Sequence, residues 1–113
     1  VDKVSLLGYR SDVPAILRQS DLSVLSSYGE GFGLAIIESL AVGTICLGSH
    51  VSGIKDILDS EYLFELGDSK TLAEKIMKYC NLDLSEKCKN MVKEYDVNKM
   101  VQLYKRVYNN AIQ

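Results

Sequence analysis

Two extended apolar runs, residues 22–27 (LSVLSS) and 44–48 (TICLG), flank a helix-forming stretch at 34–42, and a turn carrying Gly29, Gly31 and Gly33 joins the first run to that stretch. Runs this apolar, with no alternation, suit strands covered on both faces. Two such strands joined through a helix pair in parallel by a right-handed crossover. Further runs at 4–8 (VSLLG) and 62–66 (YLFEL) extend the alternation in both directions. The chain is therefore expected to be α/β, a parallel sheet with helices on both faces. Ligands of such sheets bind at the carboxyl ends of the strands. Three strand-to-helix loops are expected on that rim, at 8–12, 26–33 and 48–53.

The helices have their own signals. Ser11 or Asp12 is placed to cap a helix that tolerates Pro14 in its first turn and turns Val13, Ile16 and Leu17 inward. Gly43 is placed to stop the helix that begins near Gly33. A short helix is expected at 54–58. After Gly67 the apolar period becomes 3.6. Leu72, Ala73, Ile76, Met77 and Cys80 make one face. Leu84, Cys88, Met91, Val92 and Tyr95 make the next, with Asp83 and Glu86 as a capping box. A last helix is expected over 97–111, so the chain ends in helices.

Composition narrows the function. With 113 residues the chain has room for one domain at most. Its 47% apolar content supplies a core. A net charge of -2 and a pI near 5.3 leave no basic stripe for nucleic acid. The lysines from Lys70 onward are interleaved with glutamates, the pattern of a solvated helix face. No apolar run reaches the ~18 residues of a spanning helix, and no signal peptide is visible. The chain starts at Val1 and runs directly into a strand pattern, so it is expected to be a piece of a longer protein. Cys46, Cys80 and Cys88 lack the paired spacing of a disulfide framework or zinc site and read as buried free thiols of a reducing cytosol. His50 is the sole histidine, with no second ligand nearby in sequence, so no metal site is expected.

The glycine turn carries the chemistry. Glycines permit positive φ and close ligand approach, and the turn opens a helix whose leading N–H groups and dipole favour an anion. A phosphate fits; so does a tight turn with no ligand. A Walker A loop is excluded for want of a Gly-Lys-Ser/Thr ending. The dinucleotide fingerprint fails at Ile36 and lacks an acid after the next strand, which ends in Gly48 and Ser49. Glu30 and Glu38 stand either side of the turn, Glu38 about 7 Å along the helix axis from Gly33. Acids repel phosphate but bind vicinal diols, and a sugar nucleotide has hydroxyls on both sides of its diphosphate. The other reading of Glu38 is a partly exposed helix acid.

These residues, EGFGLAIIE, resemble the Glu-x7-Glu motif of retaining glycosyltransferases with the GT-B fold, family 4 above all. The resemblance covers almost the whole chain. SHVSGIKDIL is similar to that family's Ser-Asp-x-Gly-Gly-x-x-Glu stretch, and GDSKTLAEKI to its Gly-Asp-x-x-x-Leu-Ala segment. The sequence departs at Ile45, His50 and Ser52, where proline, aspartate and glycine are frequent. The resemblance implies that residues 1–113 are one partial domain, the Rossmann-like, donor-binding C-terminal part of a GT-B enzyme. It implies that Glu38 holds ribose hydroxyls and that Glu30 is the catalytic-site acid that positions the donor sugar, not a nucleophile. Backbone amides of Gly31, Phe32, Gly33 and Leu34 would meet diphosphate and sugar, and Tyr9 and Arg10 the base, Arg10 being otherwise a surface charge.

The same resemblance implies a UDP-, GDP- or ADP-sugar as donor substrate and no cofactor or metal. It further implies a glycan or lipid-linked acceptor held by an N-terminal domain, and a role in capsule or lipopolysaccharide synthesis. The location implied is cytoplasmic, peripheral to the inner membrane face. The piece alone is expected to transfer nothing. A sugar-nucleotide epimerase of the same fold and an inactive binding module are the alternatives.

Overall fold

In the computed structural model, which describes residues 3–29, 31 and 33–93, the run after Leu22 forms β1 (Ser23–Leu25) and the run after Ile45 forms β2 (Cys46–Ser49). The two pair in parallel, Ser23 opposite Cys46 and Leu25 opposite Gly48. A 3-10 turn at Ser60–Tyr62 leads into β3 (Leu63–Phe64), parallel to β2 with Phe64 opposite Ser49. The order is β1-β2-β3. The middle strand is buried at every position, as expected of a parallel strand with a neighbour on each side. Around the sheet lie α1 (Val13–Gln19), α2 (Leu34–Ala41), α3 (Ser69–Tyr79) and α4 (Ser85–Met91). The α/β class and the parallel sheet are those the sequence implied.

The crossover helix α2 buries Ile36, Ile37, Ser39 and Leu40 and leaves Leu34, Ala35, Glu38 and Ala41 exposed. Ile36 and Leu40 join Ile45, Leu47, Ile54, Leu58 and Tyr62 in the core. The helix ends as its sequence implied. Gly43 takes φ 89°, the Gly43 N–H donates to the Leu40 carbonyl, and the Thr44 N–H donates to the Ser39 carbonyl. These are the two bonds of a Schellman stop. Space around Gly43 is also tight, since a Cβ there would lie 3.1 Å from Ser85 Cβ at the start of α4.

A buried hydroxyl chain fixes the rotation of α2. Ser39 Oγ donates to the Thr44 carbonyl at 2.7 Å and lies 2.7 Å from Ser23 Oγ on β1. Its one proton being used, Ser23 donates to it. Thr44 Oγ1 donates to the Leu17 carbonyl of α1 at 2.6 Å. One relay thus ties α1, α2 and β1 to the residues that lead into β2.

At the far side Asp68 caps α3, its carboxylate accepting from the Thr71 amide and hydroxyl, which hold its pKa below the usual carboxylate value. Lys87 of α4 pairs with Glu61 at 3.1 Å and lies over the Tyr62 ring, which packs on Tyr79 of α3 with centroids 5.2 Å apart.

Several expectations need correction. Residues 4–8 form no strand; they have no ladder partner among the described residues, with Val4 68% and Leu6 97% exposed. A strand needs a neighbour, and no described segment pairs with these residues. Residues 54–58 form turns, not a helix. On α3 the buried residue is Tyr79, while Met77 is exposed, so the inner face runs Leu72, Ile76, Tyr79. The ring of Tyr62 draws Tyr79 inward. Asp83 bonds to Ser85 through that residue's amide and hydroxyl instead of forming a box with Glu86, and Leu84 is the cap position. Asp12 stands at the N-cap of α1 without a side-chain cap bond; its carboxylate goes to Arg10. In α1 Ile16 and Leu17 are half-buried and Val13 is exposed. Cys46 and Cys88 are buried free thiols, Cys88 pushed up to about 11 by burial, but Cys80 is only half-buried. Tyr95 and the helix over 97–111 lie outside the described residues.

Replacing Ser39 by alanine removes the centre of the hydroxyl relay and leaves the Thr44 carbonyl short of a donor. Such a loss costs about 1–3 kcal/mol. Urea unfolding of Ser39→Ala should show a midpoint lowered accordingly; an unchanged midpoint would mean the relay does not hold α2.

Candidate functional site

The carboxyl ends of β1 and β2 are clasped together. Ser49, the last residue of β2 and fully buried, donates its hydroxyl to the Ser27 carbonyl two residues past β1. That bond holds the base of the glycine turn against the next loop. Its other end is held by contact. Gly33 is buried, with φ 69° and ψ 42°, at the N-cap of α2. A Cβ there would lie 2.9 Å from Ile57 Cδ1 and 3.3 Å from the Gly53 carbonyl oxygen. Conformation and space both demand glycine at this position. A Cβ at Gly29 or Gly31 would meet nothing within 4 Å, so the alternating glycines do not share one cause.

α2 then begins with no side-chain cap. The amides of Ile36 and Ile37 donate to the Gly33 carbonyl at 3.0 and 3.3 Å. The amides of Leu34 and Ala35, ahead of them, are the ones a helix start leaves without an intrahelical partner. These groups and the helix dipole present a positive end at the rim. Glu38 lies on the exposed stripe of α2 with Leu34 and Ala35. It makes no hydrogen bond or ion pair among the described residues. Ile36, Ile37 and Leu40 do not bury it; they occupy the other face, because Ser39 is locked inward. Glu30 and Phe32 lie outside the described residues.

The first loop stands apart. Arg10 is bound bidentately by Asp12, Nε to Oδ1 and Nη2 to Oδ2, both at 2.7 Å, and the guanidinium holds the Asp12 carboxyl below the usual range. Tyr9 is 99% exposed. Tyr9, Arg10, Leu7, Ser11 and Asp12 line a shallow cleft that includes no described residue of the glycine turn. Of the three loops expected on one rim, the second and third are joined and the first is not. Residues 4–8 would set the height of the first loop, and they are outside the sheet.

Sequence reasoning passed over two features of this rim. One is the Ser49–Ser27 clasp. The other is a pair between His50 Nδ1 and Glu65 Oε1 at 2.7 Å. A polar residue ending an otherwise apolar strand was the available signal for the first; the second joins residues fifteen apart and left none. Among the described residues no group of three or more His, Cys, Asp or Glu side chains is arranged to hold a metal, and no helix is long and apolar enough to cross a membrane.

The rim thus combines a helix start without a side-chain cap, a left-handed glycine ahead of it, and Glu38 down the same helix with no partner among the described residues. The model of the family described as "Glycosyl transferases group 1" matches residues 1–96. The chain belongs to the group 1 glycosyl transferases. It is 31% identical to the N-acetyl-alpha-D-glucosaminyl L-malate synthase of Bacillus anthracis, over 98% of this chain and 32% of that protein. It is 33% identical to the UDP-Gal:alpha-D-GlcNAc-diphosphoundecaprenol alpha-1,3-galactosyltransferase of Escherichia coli, over 97% of this chain and 30% of that protein. With the N,N'-diacetylbacillosaminyl-diphospho-undecaprenol alpha-1,3-N-acetylgalactosaminyltransferase of Campylobacter jejuni the identity is 30%, over 96% and 31%. The group 1 chain thus spans about a third of the length of these curated relatives.

Gly33→Ala forces a side chain into the left-handed region, at about 1–2 kcal/mol, and drives Ile57 away. The variant should unfold at lower urea than the wild type, and its Gly53 amide should shift in NMR spectra. Wild-type stability with an unmoved Gly53 would show that the contact between the two loops is not tight.

Proposed function

We propose that residues 1–113 are one partial domain, the nucleotide-sugar-binding part of a retaining glycosyltransferase of GT-B type. The observation that carries this is the start of α2 behind Gly33 without a side-chain cap, with Glu38 exposed on the same helix and without a partner among the described residues. The diphosphate sits at the amides of Gly31, Phe32, Gly33 and Leu34, where the helix dipole favours negative charge and steadies what develops on the leaving diphosphate. Glu38 accepts both hydroxyls of the ribose. Glu30 positions the donor sugar for departure and attack on one face. Tyr9 and Arg10 take the base, which requires the first loop to come up to the joined pair.

A UDP-, GDP- or ADP-sugar serves as donor of a hexose-type sugar. The names of the Escherichia coli and Campylobacter jejuni relatives specify diphosphoundecaprenol-linked acceptors, which supports a lipid-linked or glycan acceptor held by the rest of the protein. A role in capsule or lipopolysaccharide synthesis, at the cytoplasmic face of a membrane, accords with that. This piece alone binds donor and transfers nothing.

Titration of the chain with UDP, GDP and ADP by calorimetry tests the reading. One of them should bind saturably, and Glu38→Ala should weaken it about ten- to a hundredfold, the worth of hydrogen bonds to a charged group. Binding indifferent to Glu38, or none up to millimolar nucleotide, overturns the proposed site.

A further inference from the structure

The rim holds a second pair of ionisable groups that the donor reading leaves unused. His50 follows β2 directly and Glu65 follows β3 directly, and they join Nδ1 to Oε1 at 2.7 Å. The His50 amide also donates to the Phe64 carbonyl at 2.8 Å. Main chain and side chain of one residue therefore both anchor to the end of β3. From this anchor the chain turns immediately. The Val51 amide donates to the Ser49 carbonyl, and the Ile54 and Lys55 amides donate to the Val51 carbonyl. Gly53, whose carbonyl oxygen a Cβ at Gly33 would meet at 3.3 Å, is three residues from His50, hence within about 11 Å of it. Ile57, the other contact of Gly33, lies on the same loop.

We propose that His50 is a positioning residue of the nucleotide site. Held by Glu65, it sets the height of the loop over residues 51–58, and that loop seats Gly33 and with it the first amides of α2. This rests on the donor-binding reading of those amides. His50 touches neither donor nor acceptor in this role; it acts through Gly53 and Ile57. The side chains of His50 and Glu65 are 46% and 70% exposed, so the pair contributes little to global stability. Its effect belongs to the geometry of the turn. A histidine here offers one directed N–H to the carboxylate from a short, rigid ring, which a long flexible chain would not do.

The test combines a ligand-free and a ligand-bound measurement on the chain. In NMR spectra without nucleotide, His50→Ala should move the backbone amides of Gly33, Leu34 and Gly53. Its Kd for whichever of UDP, GDP or ADP the wild type binds should rise about fivefold, the size of coupling carried through a packed contact. The Kd is read well below the unfolding midpoint, so that a merely structural role would leave it unchanged. His50→Asn, whose side-chain nitrogen falls near the position of Nδ1, should restore both; His50→Gln should not. Glu65→Gln, the milder change, should move the same amides less, and it serves if His50→Ala does not fold. Unmoved Gly33 and Leu34 amides overturn the proposal, as does rescue by glutamine alone, which would assign the role to Nε2. If the wild type binds no nucleotide, the donor reading fails and the amide shifts alone decide the role of His50.

Discussion

Ser39 lies in α2 with no access to solvent, takes a hydrogen bond from Ser23 and gives one to the carbonyl of Thr44. A buried hydroxyl left unsatisfied is costly, so this side chain can point one way only. Successive residues of a helix are about 100° apart. Fixing Ser39 inward therefore turns Glu38 outward, in line with Leu34 and Ala35 at the start of the helix. Glu38 and the first residues of α2 share one exposed stripe because Ser39 is locked inward. Had α2 been held by apolar packing alone, with Ile36, Ile37 and Leu40 free to settle against the sheet, its rotation would be less sharply set.

The second constraint is the meeting of two loops. Ser49 holds the Ser27 carbonyl at one end of the turn, and Gly33 meets the Gly53 carbonyl and Ile57 at the other. Both contacts join the residues after β1 to the residues after β2, whose register the parallel ladder has already fixed. The sheet thus supplies the position, the clasp the attachment and the left-handed glycine the direction in which α2 sets out.

Much of this could be read from the sequence, for identifiable reasons. A parallel strand buried on both faces leaves an unbroken apolar run, so β2 was plain; β1 was read from the same kind of run although Val24 stands 41% exposed. Gly43 marked the end of α2 because a left-handed residue is required there. Within the glycine turn, Gly33 was visible because the residue that opens α2 takes a left-handed conformation. What could not be read depended on partners distant in the chain. Residues 4–8 look like a strand, yet only a neighbour makes them one. Asp12 looks like a cap until Arg10 takes its carboxylate. Met77 fits the helical period as well as Tyr79 does, and only the ring of Tyr62 decides between them. His50 and Glu65 are fifteen residues apart, and no local pattern links them.

A side chain at Gly33 would meet the Gly53 carbonyl, which is backbone, as well as the tip of Ile57, so the room between the two loops is set in part by main chain that cannot rotate aside. The segment after β1 and the segment after β2 are therefore not separable modules. An insertion or a bulkier residue in one has to be answered by a shift in the other, so the two segments should be inherited together. Anyone wishing to transplant the turn of this chain onto a related scaffold would have to carry residues 26–33 and 49–58 across as a single unit.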